Sequence, residues 1–365
     1  MAGIVADPDP VAPMPASASA PAAADPAGTP PNQRGPAWLR RVRLPSQPFL
    51  RHGLLTIIGG VACYLISVQL SSFDNFNMAE VAAYTIVIAG LALLVGGTGQ
   101  ISLGHAALMC VGAYSYADLE VHNPHIPLAV GLLFATALTA AAGGIVGSVA
   151  ARLRGPYLAG VTLALGLAVP QLADHYFASD QGISVTFTPP SSVESNHWLA
   201  WICILTALIV LFLIANLRTS RWARAFSAVR DDEIAASLAG ISVARTQILG
   251  FVISAACAGL GGALLAICNL GATSGAFPIS LSILLIAGMV IGGTGTLVGA
   301  VWGGLLVVYA PVWLDDAIGS TTTSLGVNLP SMVLGALIVL VVIFFPDGLQ
   351  GALNRLISGV RRLAS

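Results

Sequence analysis

The sequence predicts an all-α, polytopic helical membrane protein of about ten crossings, some of them short or broken. Three observations carry that prediction. The chain is 56% hydrophobic and only 8% charged over 365 residues, and its mean hydropathy of +0.86 excludes a soluble globular domain. Its 40 glycines suit helices packed closely in a bilayer. Charge, finally, is segregated. There is no lysine, and the arginines fall in four clusters, at 34–51, 152–154, 218–245 and 355–362. Asp74, Glu80, Asp118, Glu120, Asp174, Asp180, Glu194, Asp315 and Asp316 lie in or beside the other connections. This asymmetry puts both termini and the arginine loops on the cytoplasmic side.

In chain order, residues 1–45 are rich in Pro, Ala, Asp and Ser with no apolar periodicity, which predicts a disordered cytoplasmic tail. The apolar transmembrane domain covers 54–346, and 347–365 form a second cytoplasmic tail. The first span is expected at about 54–72, then a polar connection, FDNFN, and a second apolar segment over 79–95. A third follows at 105–119, and after Pro124 and Pro127 a fourth at 128–150. Beyond the short loop ARLRGPY comes a segment from Tyr157 to about Tyr176 with Pro170 inside it, then an external loop, 177–197, with room for a short surface helix. Spans follow at 198–216 and 246–268, an external turn at Gly271 to Pro278, an apolar stretch at 280–311, an external loop at 312–328 and a last span at 330–346.

Parity tests this map. An even number of crossings must separate clusters on one side, and the stretch 280–311 breaks the rule if it is one helix. At roughly 48 Å it is also too long for a hydrocarbon core of about 30 Å. GGTGT, residues 292–296, stands in its middle, and a split there restores the parity and gives ten crossings.

The letters GGTG also occur at 96–99, opening the run GGTGQISLGHA. Glycines at 96, 97, 99 and 104 cost about 1 kcal/mol each in a helix relative to alanine, so the helix should break here, at membrane depth. Backbone freed there is tolerated only against protein or a wet cavity. The two tetrapeptides point to an internal repeat with broken helices near the midplane. Gly97, Thr98, Gln100, Ser102, His105, Gly293 and Thr294 are therefore the candidate lining of a translocation path. Gly143 with Gly147, and Gly259, Gly261 and Gly262, read as helix-packing faces.

The stretch 217–245 is a charged island. After its arginines come Asp231, Asp232 and Glu233, then a short helix predicted from about Asp231 to Ala239 and closed by Gly240. Acids suit the positive end of a helix dipole, and glycine suits the left-handed residue after the last turn. Ile234 and Leu238 fall four apart with Ala235 and Ala239 beside them, an apolar face on a helix too short to stand alone. It must lie against the membrane surface, the spans or a partner protein.

Several chemistries are excluded. A phosphate-binding P-loop needs a lysine after its last glycine, and this chain has none. No soluble strand precedes the glycine run, as a dinucleotide site requires. Ser102 beside His105 lacks the oriented third group of an intramembrane hydrolase. The five cysteines, 63, 110, 203, 257 and 268, have no metal-ligand spacing and read as small buried hydrophobes. No catalytic, metal or cofactor site is expected. No ionisable residue falls mid-span, which argues against a proton- or sodium-coupled carrier.

Four spaced motifs and a closing segment, GGTGQISLGHAALMCVGAY, ARLRGPYLAGVTLALG, RDDEIAASLAGI, LLIAGMVIGGTGTLVGAVWG and FFPDGLQG, resemble in order those of the LivM-type permease subunits of branched-chain amino-acid ABC importers. The resemblance covers about 80–350. It implies transport of branched-chain or related amino acids across the bacterial cytoplasmic membrane, with a homologous second permease, two ATPase subunits that bind the ATP, and an extracytoplasmic binding protein. It also implies that Arg230, Asp231, Asp232, Glu233, Ala236 and Gly240 belong to the loop that couples the permease to the ATPase, with Ala236 at the contact. Leu167 stands where family members commonly have glutamate, and SDQGISVTF replaces a loop rich in glycine and asparagine. These departures bear on the substrate, since close relatives move urea or short amides. The rival from another class is a stand-alone channel or facilitator, which also lacks mid-span charge.

Overall fold

The computed structural model describes residues 48–153, 156–177, 182–186, 194–293, 295–318, 335–336 and 350–351. The predicted tail 1–45, Thr294, and all but two residues each of the predicted span 330–346 and tail 347–365 lie outside them. Helix α1 is Pro48–Gln69 and α2 is Ser72–Leu93, which continues as a π-helical turn, Leu94–Thr98. Then come α3 (His105–His122), α4 (Leu128–Ala150), α5 (Pro156–Phe177), α6 (Ser195–Thr219), α7 (Arg221–Asp231), α8 (Glu233–Leu238), α9 (Val243–Cys268), α10 (Ile279–Gly293) and α11 (Leu297–Ile318). Among the described residues, eight helices are long and apolar enough to cross a membrane. Helix α3 packs in the core beside them, and the stretch 280–311 is divided between α10 and α11 as the parity required.

The core is built on α9 and α2, the most buried spans, while α1 lies at the margin. Missing side chains let their neighbours close in. A Cβ at Gly112 on α3 would land on the Gly259 backbone of α9, and one at Gly143 on α4 would land on Ala255. The α10–α11 hairpin is closed the same way, with Gly292 against Gly299.

Two expectations need correction. FDNFN is not a connection but the first turns of α2. Ser71 caps that helix, its Oγ accepting from the Asp74 amide at 3.2 Å, and buried Asn75 donates through Nδ2 to the carbonyls of Ser67 and Ser71. Polar letters satisfied in this way can sit inside a span. Glu80 consequently lies about two turns into α2 and half-buried, rather than in a connection. Of the loop 177–197, only 182–186 and Glu194 are described between α5 and α6, and the short surface helix expected there lies outside the described residues. Ile183–Ser184 (β1) pairs antiparallel with Gly271–Ala272 (β2), and Glu120 Oε1 accepts from the amide and hydroxyl of Thr186. The two predicted external connections are thus tied to each other and to the end of α3.

Candidate functional site

The charged island folds as two helices rather than one. Asp232 breaks the predicted helix because its backbone is extended (φ −156°, ψ 110°) and its carboxylate accepts from the amides of Ile234 and Ala235 at 2.8 and 3.0 Å. An N-cap of this kind contributes about 1 kcal/mol. Asp231 therefore ends α7, and Glu233 starts the six-residue α8. The far end follows the expectation. Gly240 has φ +82°, and the amides of Gly240 and Ile241 close on the carbonyls of Ser237 and Ala236, as in a left-handed helix stop. Glu233 Oε1 accepts from Gln247 Nε2 at 2.8 Å, which ties α8 to α9.

Burial on α8 corrects the expected contact. Ala236 is only 3% exposed, whereas Ile234 is 72% and Leu238 is 86% exposed. Ala236 fixes α8 to its own chain, and Ile234 and Leu238 form the outward face. On a helix, positions two apart point to different sides, so Ala236 cannot share their face.

Helix α7 is seated on the first glycine break. Phe226 and Val229 are buried. A Cβ at Gly97 would lie 3.6 Å from the Phe226 Cβ, and one at Gly99 would lie 3.2 Å from the Arg230 Cγ. Gly99 also has φ +74°, where a side chain is disfavoured. Arg230 Nη1 donates to the Gly96 carbonyl at 2.7 Å, while its Nε and Nη2 bind Asp231. The second break is held by the same kind of group, since Arg218 Nη2 donates to the Gly295 carbonyl. The breaks also meet, as a Cβ at Gly96 would be 3.3 Å from the Gly295 Cα.

Both breaks therefore sit at the arginine end of the bundle, not at its middle. Helix α2 with its π-turn runs for 27 residues, roughly 40 Å, before the chain leaves it. The next segment, 99–104, returns into the core. There Leu103 N donates to Thr162 Oγ1 at 3.0 Å, Ala106 N donates to Ser282 Oγ at 2.9 Å, and His105 Nε2 shares a 2.7 Å hydrogen bond with Ser254 Oγ. Ser254 is about three turns into α9, so the start of α3 lies about 17 Å from the arginine end. Membrane depth belongs to this returning segment.

Most of the expected path residues are interior. Gly97 faces Phe226, and Thr98 Oγ1 donates to the Leu94 carbonyl. Gln100, Ser102 and His105 are buried, and Gly293 lies in the closed α10–α11 turn. Ile101, between them, is 53% exposed, and the amides of Gln100 and Ile101 have no hydrogen-bond partner among the described residues. Arg218, Phe226, Thr162, Ser254 and Ser282 were missing from the expected set. The lone hydroxyl of Ser254 in its apolar span, and the pair Ser280 and Ser282 at the start of the next, were the available signal.

Residues 76–342 match the family described as the permease component of branched-chain amino acid transport systems. The chain belongs to this family. It is 30% identical over 326 residues to the high-affinity branched-chain amino acid transport system permease protein LivM of Salmonella typhimurium, covering 81% of this chain and 74% of that one. The LivM of Escherichia coli K12 is 30% identical over 296 residues, covering 73% and 67%. The LivH permease of Salmonella typhimurium is 27% identical over 300 residues, covering 74% and 92%. No solved structure matches. Membership makes this permease a multi-pass transport subunit and not itself an enzyme.

Proposed function

We propose that this permease is a membrane subunit of an ATP-driven ABC importer that moves branched-chain or related amino acids across the bacterial cytoplasmic membrane. The observation that carries this reading is the family match over 76–342. The permease pairs with a homologous second permease, and two ATPase subunits bind and hydrolyse the ATP. An extracytoplasmic binding protein delivers the substrate. No cofactor is bound by the permease itself. The arginine loops and both tails, 1–45 and 347–365, face the cytoplasm.

Two features support particular surfaces within this reading. Exposed Ile234 and Leu238 on α8 lie in the arginine loop and form the ATPase contact, with Asp232 and Gly240 setting its geometry, while Arg230, Asp231 and Glu233 of the same coupling loop tie it to the permease's own helices. Exposed Ile101, beside amides with no hydrogen-bond partner among the described residues, supports a surface that meets protein or water rather than lipid, because bare backbone at membrane depth needs one or the other. The translocation path and the second permease therefore lie on this side, which α5 shares through Thr162.

Reconstitution of the assembled complex tests the reading. Uptake of leucine, isoleucine or valine should need ATP inside the vesicle and the binding protein outside. Equal uptake by the permease alone, without ATP, would replace it with a facilitator.

A further inference from the structure

We infer that helix α7 and the glycine break at 96–99 move as one body, and that Arg230 is the positioning residue through which motion of the arginine loop reaches the membrane-depth segment 99–104. The inference rests on the reading that α8 docks on the ATPase, and it adds the route the motion takes inside the permease. Three contacts carry it. Phe226 fills the space that Gly97 leaves, the stem of Arg230 fills the space that Gly99 leaves, and the Arg230 guanidinium holds the Gly96 carbonyl at 2.7 Å.

The chemistry suits transmission rather than docking. Three side-chain nitrogens of Arg230 are used, Nη1 on Gly96 and the other two on Asp231, and Asp231 adjoins Asp232, the cap of α8. A planar guanidinium holds both partners in a fixed relation, which an ammonium does not. A push on α8 thus passes through Asp232 and Asp231 to Arg230, then to Gly96 and Gly99, from which the chain runs to His105. The exposed ion pair with Asp231 adds little stability; its role is geometric. A loop that merely rested on the bundle would need neither the two glycines, Gly97 and Gly99, nor the shared arginine.

A reversible cross-link provides the test. The Cβ positions at 97 and 226 are 3.6 Å apart, within the range for a disulfide. Gly97→Cys with Phe226→Cys, made in a permease whose native cysteines are replaced, is reconstituted with the partner permease, ATPase and binding protein. Uptake is then compared in the same vesicles before and after oxidation. The inference expects the oxidised complex to transport within about twofold of the reduced one, since a bond inside one rigid body obstructs nothing. Arrest on oxidation, relieved by a reductant, would mean that α7 and the break separate during turnover and would overturn the inference.

Arg230 supplies a second arm that does not depend on the cysteine pair. Arg230→Ala should keep the ATPase bound while transport per ATP hydrolysed falls about tenfold, the equivalent of one charge-assisted hydrogen bond. Arg230→Lys, which keeps a donor but not the fork, should fall between. Arg224→Ala, at an exposed position on α7, should match the wild-type ratio. An unchanged ratio in Arg230→Ala, or loss of the ATPase from it, overturns the inference and leaves the docking reading in place. If instead Ile234→Asp with Leu238→Asp leaves ATPase binding intact, the docking reading itself fails.

Discussion

The tetrapeptide GGTG occurs twice, and the two copies end their helices alike but lead to different structures. In both the last glycine has a positive φ, +74° at Gly99 and +84° at Gly295, and in both an arginine of the same loop takes a glycine carbonyl. After the second copy the chain turns at once into α11. Thr296 explains that, because its Oγ1 accepts from the Gly299 amide at 3.0 Å and donates to the Gly293 carbonyl at 3.2 Å. After the first copy Gln100 stands where Thr296 stands in the second. The chain stays unwound until Gly104, where the Leu103 amide is met by a hydroxyl of α5 and, just inside α3, the Ala106 amide by a hydroxyl of α10. One break is a self-contained hairpin and the other depends on its neighbours. The tetrapeptide encodes the stop, and the residue after it decides whether the chain turns back at once or stays unwound.

The largest test of this difference is at the hairpin. Gly292→Val would place its Cβ on the Gly299 carbonyl, backbone that cannot yield like a side chain. We expect a loss of about 3 kcal/mol, seen as a several-fold drop in monodisperse permease on size-exclusion chromatography in detergent. Next comes Ser282→Ala, which leaves the buried amide of Ala106 without its acceptor. That should cost about 2 kcal/mol, measured as a lowered thermal midpoint. Ser282→Thr, which keeps the hydroxyl, should recover part of it. Thr296→Val removes one cap and should cost about 1 kcal/mol. Thr98→Val should be the mildest, roughly 0.5 kcal/mol or less, because the Thr98 hydroxyl mainly returns to its own helix at Leu94 and valine keeps its shape. If Thr98→Val proves as costly as Thr296→Val, the two breaks are more alike than their hydrogen bonds indicate.

Much of the fold was legible in the letters. Apolar runs of span length, arginine segregation and crossing parity located the helices and required the split at 292–296. Glycine at 240 announced the end of α8. Other features were invisible because they depend on partners distant in sequence. FDNFN reads as a loop until Ser67 and the Ser71 cap are seen to satisfy Asn75. The path residues chosen from the glycine run were drawn by composition, which cannot say that Phe226, 129 positions later, fills the space at Gly97. The resemblance put Ala236 at the partner contact. Ala236 lies two positions from both Ile234 and Leu238, so it faces the other side of α8, and the letters alone do not say which side meets the bundle.

The central claim is that α8 presents Ile234 and Leu238 outward as the contact that brings ATP-driven motion to the breaks. Ile234→Asp with Leu238→Asp tests it in one pull-down of the ATPase from detergent extract, with the partner permease followed in the same sample. The account predicts a permease that still inserts and still holds its partner but retains at least about a hundredfold less ATPase, as expected when unpaired charge is placed in a buried contact. Wild-type retention of the ATPase together with wild-type uptake would contradict it.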